Sequence, residues 1–203
     1  MTEPAAAAGR LATVAGAILL GGQSARMGRD KARLEWRGEA LVVRQARMLA
    51  SLCGEVLLVG GDPPAEAPGR RVADPVGEAS ALRGLVGALG AAEATWVAVM
   101  ATDLPGLTPD LVLALVGLTG TDADAIVPRT RGPEPLCAIY RRETVLPLAR
   151  GHLDSGKLRI TDLLGKLDVV WLEGDDLARV GGATALANVN TPEEWQRFVE
   201  AAG

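Results

Sequence analysis

The eight residues Thr13 to Leu20 form a nearly unbroken apolar run that ends at glycines, and this run limits most sharply what the chain can fold into. A strand apolar on both faces has no solvent side, so it belongs inside a mainly parallel sheet with helices above and below. The stretch that overlaps its end is Leu19-Leu20-Gly21-Gly22-Gln23-Ser24-Ala25-Arg26-Met27-Gly28-Arg29-Asp30-Lys31, with its glycines close together and charges at its end. Glycine lets backbone N–H groups approach an anion, so a glycine-rich stretch after a first strand predicts phosphate binding.

The rest of the chain keeps alternating short apolar runs with helical periodicity. Val42, Ala46, Leu49 and Cys53 predict a helix over Leu41 to Cys53 stopped by Gly54, and Val56 to Val59 resumes a strand. Val72-Ala73-Asp74-Pro75 reads as a short strand that delivers Asp74 to its end. Ser80 is placed to cap a helix with Leu82, Leu85, Val86 and Leu89 on one face, and Gly84, Gly87 and Gly90 on that helix suggest a close approach of a ligand or another backbone.

Trp96 to Met100 is a wholly apolar strand running into Thr102-Asp103, where open α/β sheets bind ligands. Thr108 and Pro109 start a helix whose expected inward residues are Leu111, Ala114, Leu115 and Leu118. Ala125 to Val127 and Leu136 to Tyr140 read as strands flanking a polar loop with Arg129, Arg131 and Glu134 that faces solvent or a ligand, and Val169 to Leu172 as another strand. Val145 to Leu153 and Ile160 to Leu167 read as helices, with His152 on a helix surface. Thr191, Pro192 and Glu194 form a capping box before an inward stripe of Trp195, Phe198, Val199 and Ala202. Asn188 and Asn190 flank Val189, so in extended chain both amides point to one side. The expected fold is one three-layer α/β/α domain with a mostly parallel sheet over residues 10–203, after a disordered tail, 1–9.

Composition narrows the function. With a net charge of -4 and 23% charged residues the chain is no polyanion binder, and no nucleic acid partner is expected. Cys53 and Cys137 lack metal-ligand spacing and read as buried thiols in a reducing compartment. One histidine excludes a multi-histidine zinc site. The first eight residues hold an acid and no base, unlike a secretory leader, and Leu11 to Leu20 is too short to span a bilayer. A cytoplasmic location without membrane contact is expected. The spacing after Gly22 also rules out a P-loop, and Gly-x-Gly-x-x-Gly is absent.

The pattern Leu-x-Gly-Gly-x-Ser-x-Arg-Met-Gly-x-Asp-Lys over 19–31 resembles the signature of nucleotidyltransferases acting on molybdenum cofactor. Asp74, Leu82-Arg83-Gly84-Leu85, Thr102-Asp103-Leu104-Pro105 and Asn188-Val189-Asn190-Thr191-Pro192-Glu193 follow in that family's order, and the chain is most similar to its guanylyltransferases. The resemblance implies a Rossmann-like fold of the nucleotide-diphospho-sugar transferase type, GTP and molybdopterin as substrates, and Mg²⁺ as cofactor. It implies that Leu19, Gly21 and Gly22 hold the nucleotide, that Arg26 and Lys31 contact phosphates, and that Asp74 lies in the nucleotide pocket. It further implies that Asp103 binds Mg²⁺, and that Gly84, Asn188 and Asn190 face substrate or metal. Proteins that supply or receive the cofactor are implied as partners.

The residues alone leave other roles open. Asp103 also suits a turn before Leu104-Pro105, Asp74 a turn before Pro75, and the two asparagines backbone bonding at a helix start. Rival functions are the related cytidylyltransferase, which usually has alanine where Gly21 stands and acids where Asn188 and Asn190 stand, and a non-catalytic nucleotide-binding module. Gly60 departs from the family pattern, where asparagine is common, as does Glu134, where histidine is frequent.

Overall fold

The computed structural model describes residues 12–20, 34–77 and 79–202. The first nine residues and the stretch holding Gly21, Gly22, Arg26 and Lys31 lie outside the described residues. The strands are β1 (Val14–Leu19), β2 (Glu35–Trp36), β3 (Glu39–Ala40), β4 (Glu55–Val59), β5 (Arg70–Val72), β6 (Trp96–Ala101), β7 (Ala125–Pro128), β8 (Cys137–Arg141) and β9 (Val169–Leu172). The helices are α1 (Leu41–Leu52), α2 (Ala81–Ala91), α3 (Pro109–Gly117), α4 (Arg142–Asp154), α5 (Ile160–Leu164), α6 (Gly174–Ala178), α7 (Gly182–Ala185) and α8 (Pro192–Ala202).

A seven-stranded sheet in the order β5-β4-β1-β6-β8-β7-β9 is the frame. β1 pairs in parallel with β4 and β6, β4 with β5, and β7 with β9. Only β8 in this sheet runs against its neighbours, β6 and β7. The start of β8 therefore lies at the same sheet edge as the carboxyl ends of the other six.

The period-2 alternation of β1 divides the core. Val14 and Ile18 join the apolar cluster under α1 and α3, while Ala15, Ala17 and Leu19 join the one under α2 and α4. The result is helices, sheet, helices in three layers. A Cβ on Gly16 would stand 3.0 Å from Leu49 Cβ, so this glycine lets α1 lie close on the central strand.

Helix starts follow their caps. Ser80 Oγ accepts from the Arg83 N–H at 3.2 Å, and Thr108 Oγ1 from the Leu111 N–H at 3.3 Å. Thr191 and Glu194 close the capping box in both directions, at 3.1 and 3.2 Å.

Several local expectations need correction. α3 buries Leu111, Val112, Leu115 and Val116, whereas Ala114 and Leu118 are half-buried. The helix after Arg159 ends at Leu164, earlier than Leu167. Val199 is exposed on α8; Trp195 and Phe198 stack on each other, and Phe198 meets Trp36 of the short β2–β3 hairpin edge-on at 5.4 Å. His152 is not on the surface but 4% exposed. It follows Val145 and Ala149 at helical spacing on the inward face of α4, and neither ring nitrogen has a hydrogen-bond partner.

Candidate functional site

Parallel strands deliver the residues after them to one edge, and most of the described sequence-predicted residues gather there. Leu19 ends β1, and the Leu20 N–H extends the ladder by donating to the Val59 carbonyl at 2.8 Å. The Gly60 N–H donates to the Val72 carbonyl at 2.8 Å, bringing Asp74 beside the end of β4. A narrow slot opens here, lined by Leu19, Val59, Asp74, Ala79, Ser80, Ala81 and Gly84. Leu19 of the first strand thus shares one cavity with the sequence-distant Asp74 and Gly84.

Glycines allow close packing in and around that slot. A Cβ on Gly84 would stand 3.2 Å from Leu19 Cδ1, so a larger residue would press on the slot wall. The same helix approaches the sheet at Gly87, whose missing Cβ would stand 3.1 Å from Pro75 Cδ and 3.2 Å from Val59 Cγ1. The nearest atoms at both positions are side chains, with the backbone carbonyl of Ala73 3.8 Å from the missing Cβ of Gly87. Gly60 has φ +71, and a Cβ there would fall 2.5 Å from Asp74 Oδ2. The Arg83 guanidinium donates to the Val76 carbonyl, which ties the segment after Asp74 to the first turn of α2.

The second half of the site lies one strand away. Leu19 pairs with Ala101 across β1 and β6, so Asp103 stands two residues beyond the partner of Leu19. Asp103 is half-buried and Thr102 buried. The Val189 N–H donates to the Asp103 carbonyl at 2.9 Å. This brings the Asn188 and Asn190 segment to the acid, with both asparagines exposed and Val189 inward.

Two further residues stand at this edge, of which Gln45 escapes pattern reading. Cys137 pairs with Met100, and the Ala101 N–H donates to the Leu136 carbonyl at 2.8 Å, which leads Glu134 back toward Asp103. Glu134 is half-buried, not simply exposed. Burial pushes its carboxyl above the usual range and the negative charge of Asp103 adds to this, while a hydrogen bond from Thr130 opposes both. Gln45, on an otherwise apolar face of α1, donates from Nε2 to the carbonyls of Ala101 and Leu104 at 3.2 and 3.1 Å. An amide inside an apolar helical stripe was the available signal, but the stripe alone does not say what the amide reaches. Arg129, at the far end of this edge, lies over the Trp171 ring and pairs with Glu173.

Carboxylate oxygens are the donors that Mg²⁺ prefers, and Asp103 with Glu134 nearby fits such an ion. Among the described residues no group of three or more histidine, cysteine, aspartate or glutamate side chains could hold a metal by itself. Among the described residues, no helix is long and apolar enough to cross a membrane. Both cysteines are free, Cys137 buried and Cys53 half-buried.

Residues 16–169 match the family described as the MobA-like NTP transferase domain. The chain is 34% identical over 193 residues to a probable molybdenum cofactor guanylyltransferase of Chloroflexus aggregans, covering 89% of this chain and 91% of that one. It is 30% identical over 192 residues to a protein of the same name from Bacillus cereus, covering 89% and 93%. Its fold superposes on the crystal structure of molybdopterin-guanine dinucleotide biosynthesis protein A from Archaeoglobus fulgidus with a TM-score of 0.79 at 23% identity, covering 93% of this chain and 98% of that one.

Proposed function

Because the chain belongs to the family of MobA-like NTP transferase domains, we propose that it transfers GMP from GTP to the terminal phosphate of molybdopterin. A molybdopterin phosphate oxygen bonds to the α-phosphorus of GTP, the bond to the β-phosphate oxygen breaks, and pyrophosphate leaves. The product is the guanine dinucleotide form of the cofactor. The observation that carries this reading is the union of Leu19, Asp74 and Gly84 in one slot, one strand from Asp103.

The slot supports guanine as the base. Its apolar walls suit a flat ring, and a carboxylate such as Asp74 offers acceptors only. Guanine presents an N–H and an amino group side by side, whereas cytosine presents one amino group beside an acceptor. Asp74 can satisfy two donors of the first and one of the second.

No covalent nucleophile is required, because a phosphate attacker is already ionised at neutral pH. The protein's task is to place two anions and answer their charge. Gly21 and Gly22 offer backbone N–H groups to the phosphates, and Arg26 and Lys31 answer the triphosphate charge. Asp103 holds Mg²⁺, which when bound neutralises charge on the phosphate oxygens and aligns them. Asn188 and Asn190, fastened beside Asp103, face the phosphate or pterin side of the second substrate. The setting proposed for this reaction is the cytoplasm, with a protein that supplies or receives the cofactor as a partner.

The Asp103→Asn variant tests the assignment, with pyrophosphate release measured in Mg²⁺, GTP and molybdopterin. Loss of turnover at an unchanged melting temperature is expected. Undiminished turnover removes Asp103 from the mechanism.

A further inference from the structure

We infer that Gln45 is a positioning residue that sets the turn carrying Asp103. The inference rests on the role given to Asp103 above. Gln45 lies on the buried face of α1 with Leu41, Val42, Ala46 and Leu49, and only 3% of it is exposed. Nε2 donates to the Ala101 carbonyl at 3.2 Å and the Leu104 carbonyl at 3.1 Å. These two carbonyls bracket Thr102-Asp103, so one side chain grips the turn at both ends.

The rest of the amide argues against simple core filling. Gln45 Oε1 is buried without a hydrogen-bond partner, which is unfavourable. Gln45 lines a cavity with Arg44 and the apolar Leu41, Met48, Pro105, Leu107 and Pro109, where a methionine would carry no unpartnered oxygen. What methionine cannot do is donate twice. With Val189 donating to the Asp103 carbonyl, the carbonyls of residues 101, 103 and 104 are all held from outside the turn. A Cβ on Gly106 would meet the Thr184 carbonyl at 2.6 Å, so the turn is also closely packed on its far side. Fixing the backbone on both sides of Asp103 fixes where its carboxylate can stand, and a displacement of about 1 Å at a reacting centre costs on the order of a hundredfold in rate.

Gln45→Met tests the inference through two readouts. The amides of Val189 and Leu107 donate to the Asp103 and Leu104 carbonyls. They should exchange with solvent at least tenfold faster in the variant, while amides of β1 and β4 keep their rates. The kcat with GTP should fall about tenfold or more, with the KM for GTP changed less than twofold because the Leu19–Asp74 slot is untouched. Unchanged exchange at both amides, or a uniform loosening of all amides with kcat per folded molecule preserved, overturns the inference. If Gln45→Met does not fold, Gln45→Asn, which withdraws the amide by one methylene, carries the same test. If the parent protein fails to turn over GTP while the exchange shift is seen, the clasp stands and the proposed reaction falls.

Discussion

The backbone N–H of Val189 donates to the carbonyl oxygen of Asp103 at 2.9 Å, so the segment bearing Asn188 and Asn190 is tied to the strand end bearing the acid. Val189 is buried while both asparagines are exposed, so the asparagines serve the site more than the core. Asn188→Ala and Asn190→Ala should each lower kcat/KM for molybdopterin about tenfold, a loss typical of a lost polar contact to a charged substrate. For Asn188→Ala, stability should change by less than about 0.5 kcal/mol, as for other surface substitutions. Steady-state kinetics with thermal melts checks both, and unchanged kinetics would leave the asparagines without a catalytic role.

Gly60 and Asp74 form a second such pair. With φ +71 at Gly60 and 2.5 Å between its missing Cβ and Asp74 Oδ2, any side chain there must displace the carboxylate. Gly60→Ala should weaken GTP binding several-fold by calorimetric titration. It should also lower stability by about 1–2 kcal/mol through the left-handed backbone. Full GTP affinity in this variant would place Asp74 outside the nucleotide site.

How much of this is legible in the sequence differs by element. The apolar runs at Thr13 to Leu20 and Trp96 to Met100 announce buried strands because both faces are covered, and caps such as Ser80, Thr108 and Thr191 act on residues three positions away. The reversal of β8 is not legible, since a short buried run reads alike in either direction, yet it brings Glu134 to Asp103. The slot at Leu19, Asp74 and Gly84 can be anticipated only as separate residues, because their meeting depends on the β5-β4-β1 order. The Gln45 clasp depends on contacts 56 and 59 residues apart in sequence. Periodicity itself places His152 inward with Val145 and Ala149, and it outweighs the polarity that suggests a surface position.

His152 gives a stability prediction. A buried imidazole with both nitrogens unpartnered is unfavourable, and an apolar group of similar size removes the unsatisfied atoms. His152→Leu should stabilise the protein by about 1 kcal/mol, raising the melting temperature by roughly 2–4 °C for a chain of this length. A lower melting temperature would contradict this.

Cys53 gives a pH prediction. Burial pushes its thiol up to about 11 from the ordinary 9.0, so the reactive thiolate is scarcer at pH 8 than in an exposed cysteine. The rise in intrinsic nucleophilicity with pKa offsets part of that loss, and alkylation at pH 8 should be at least about tenfold slower than for a cysteine in a short peptide. The rate should keep climbing as pH rises past 9. A plateau near pH 9 would contradict the shift.

The central claim is that this edge of the sheet joins guanosine monophosphate to molybdopterin. It is tested most directly by supplying the protein with molybdopterin, Mg²⁺ and an equimolar mixture of GTP, CTP, ATP and UTP, then identifying the product by mass. The guanine dinucleotide, with an equal amount of pyrophosphate, is the predicted result. A cytosine dinucleotide, or no dinucleotide at all, would contradict it.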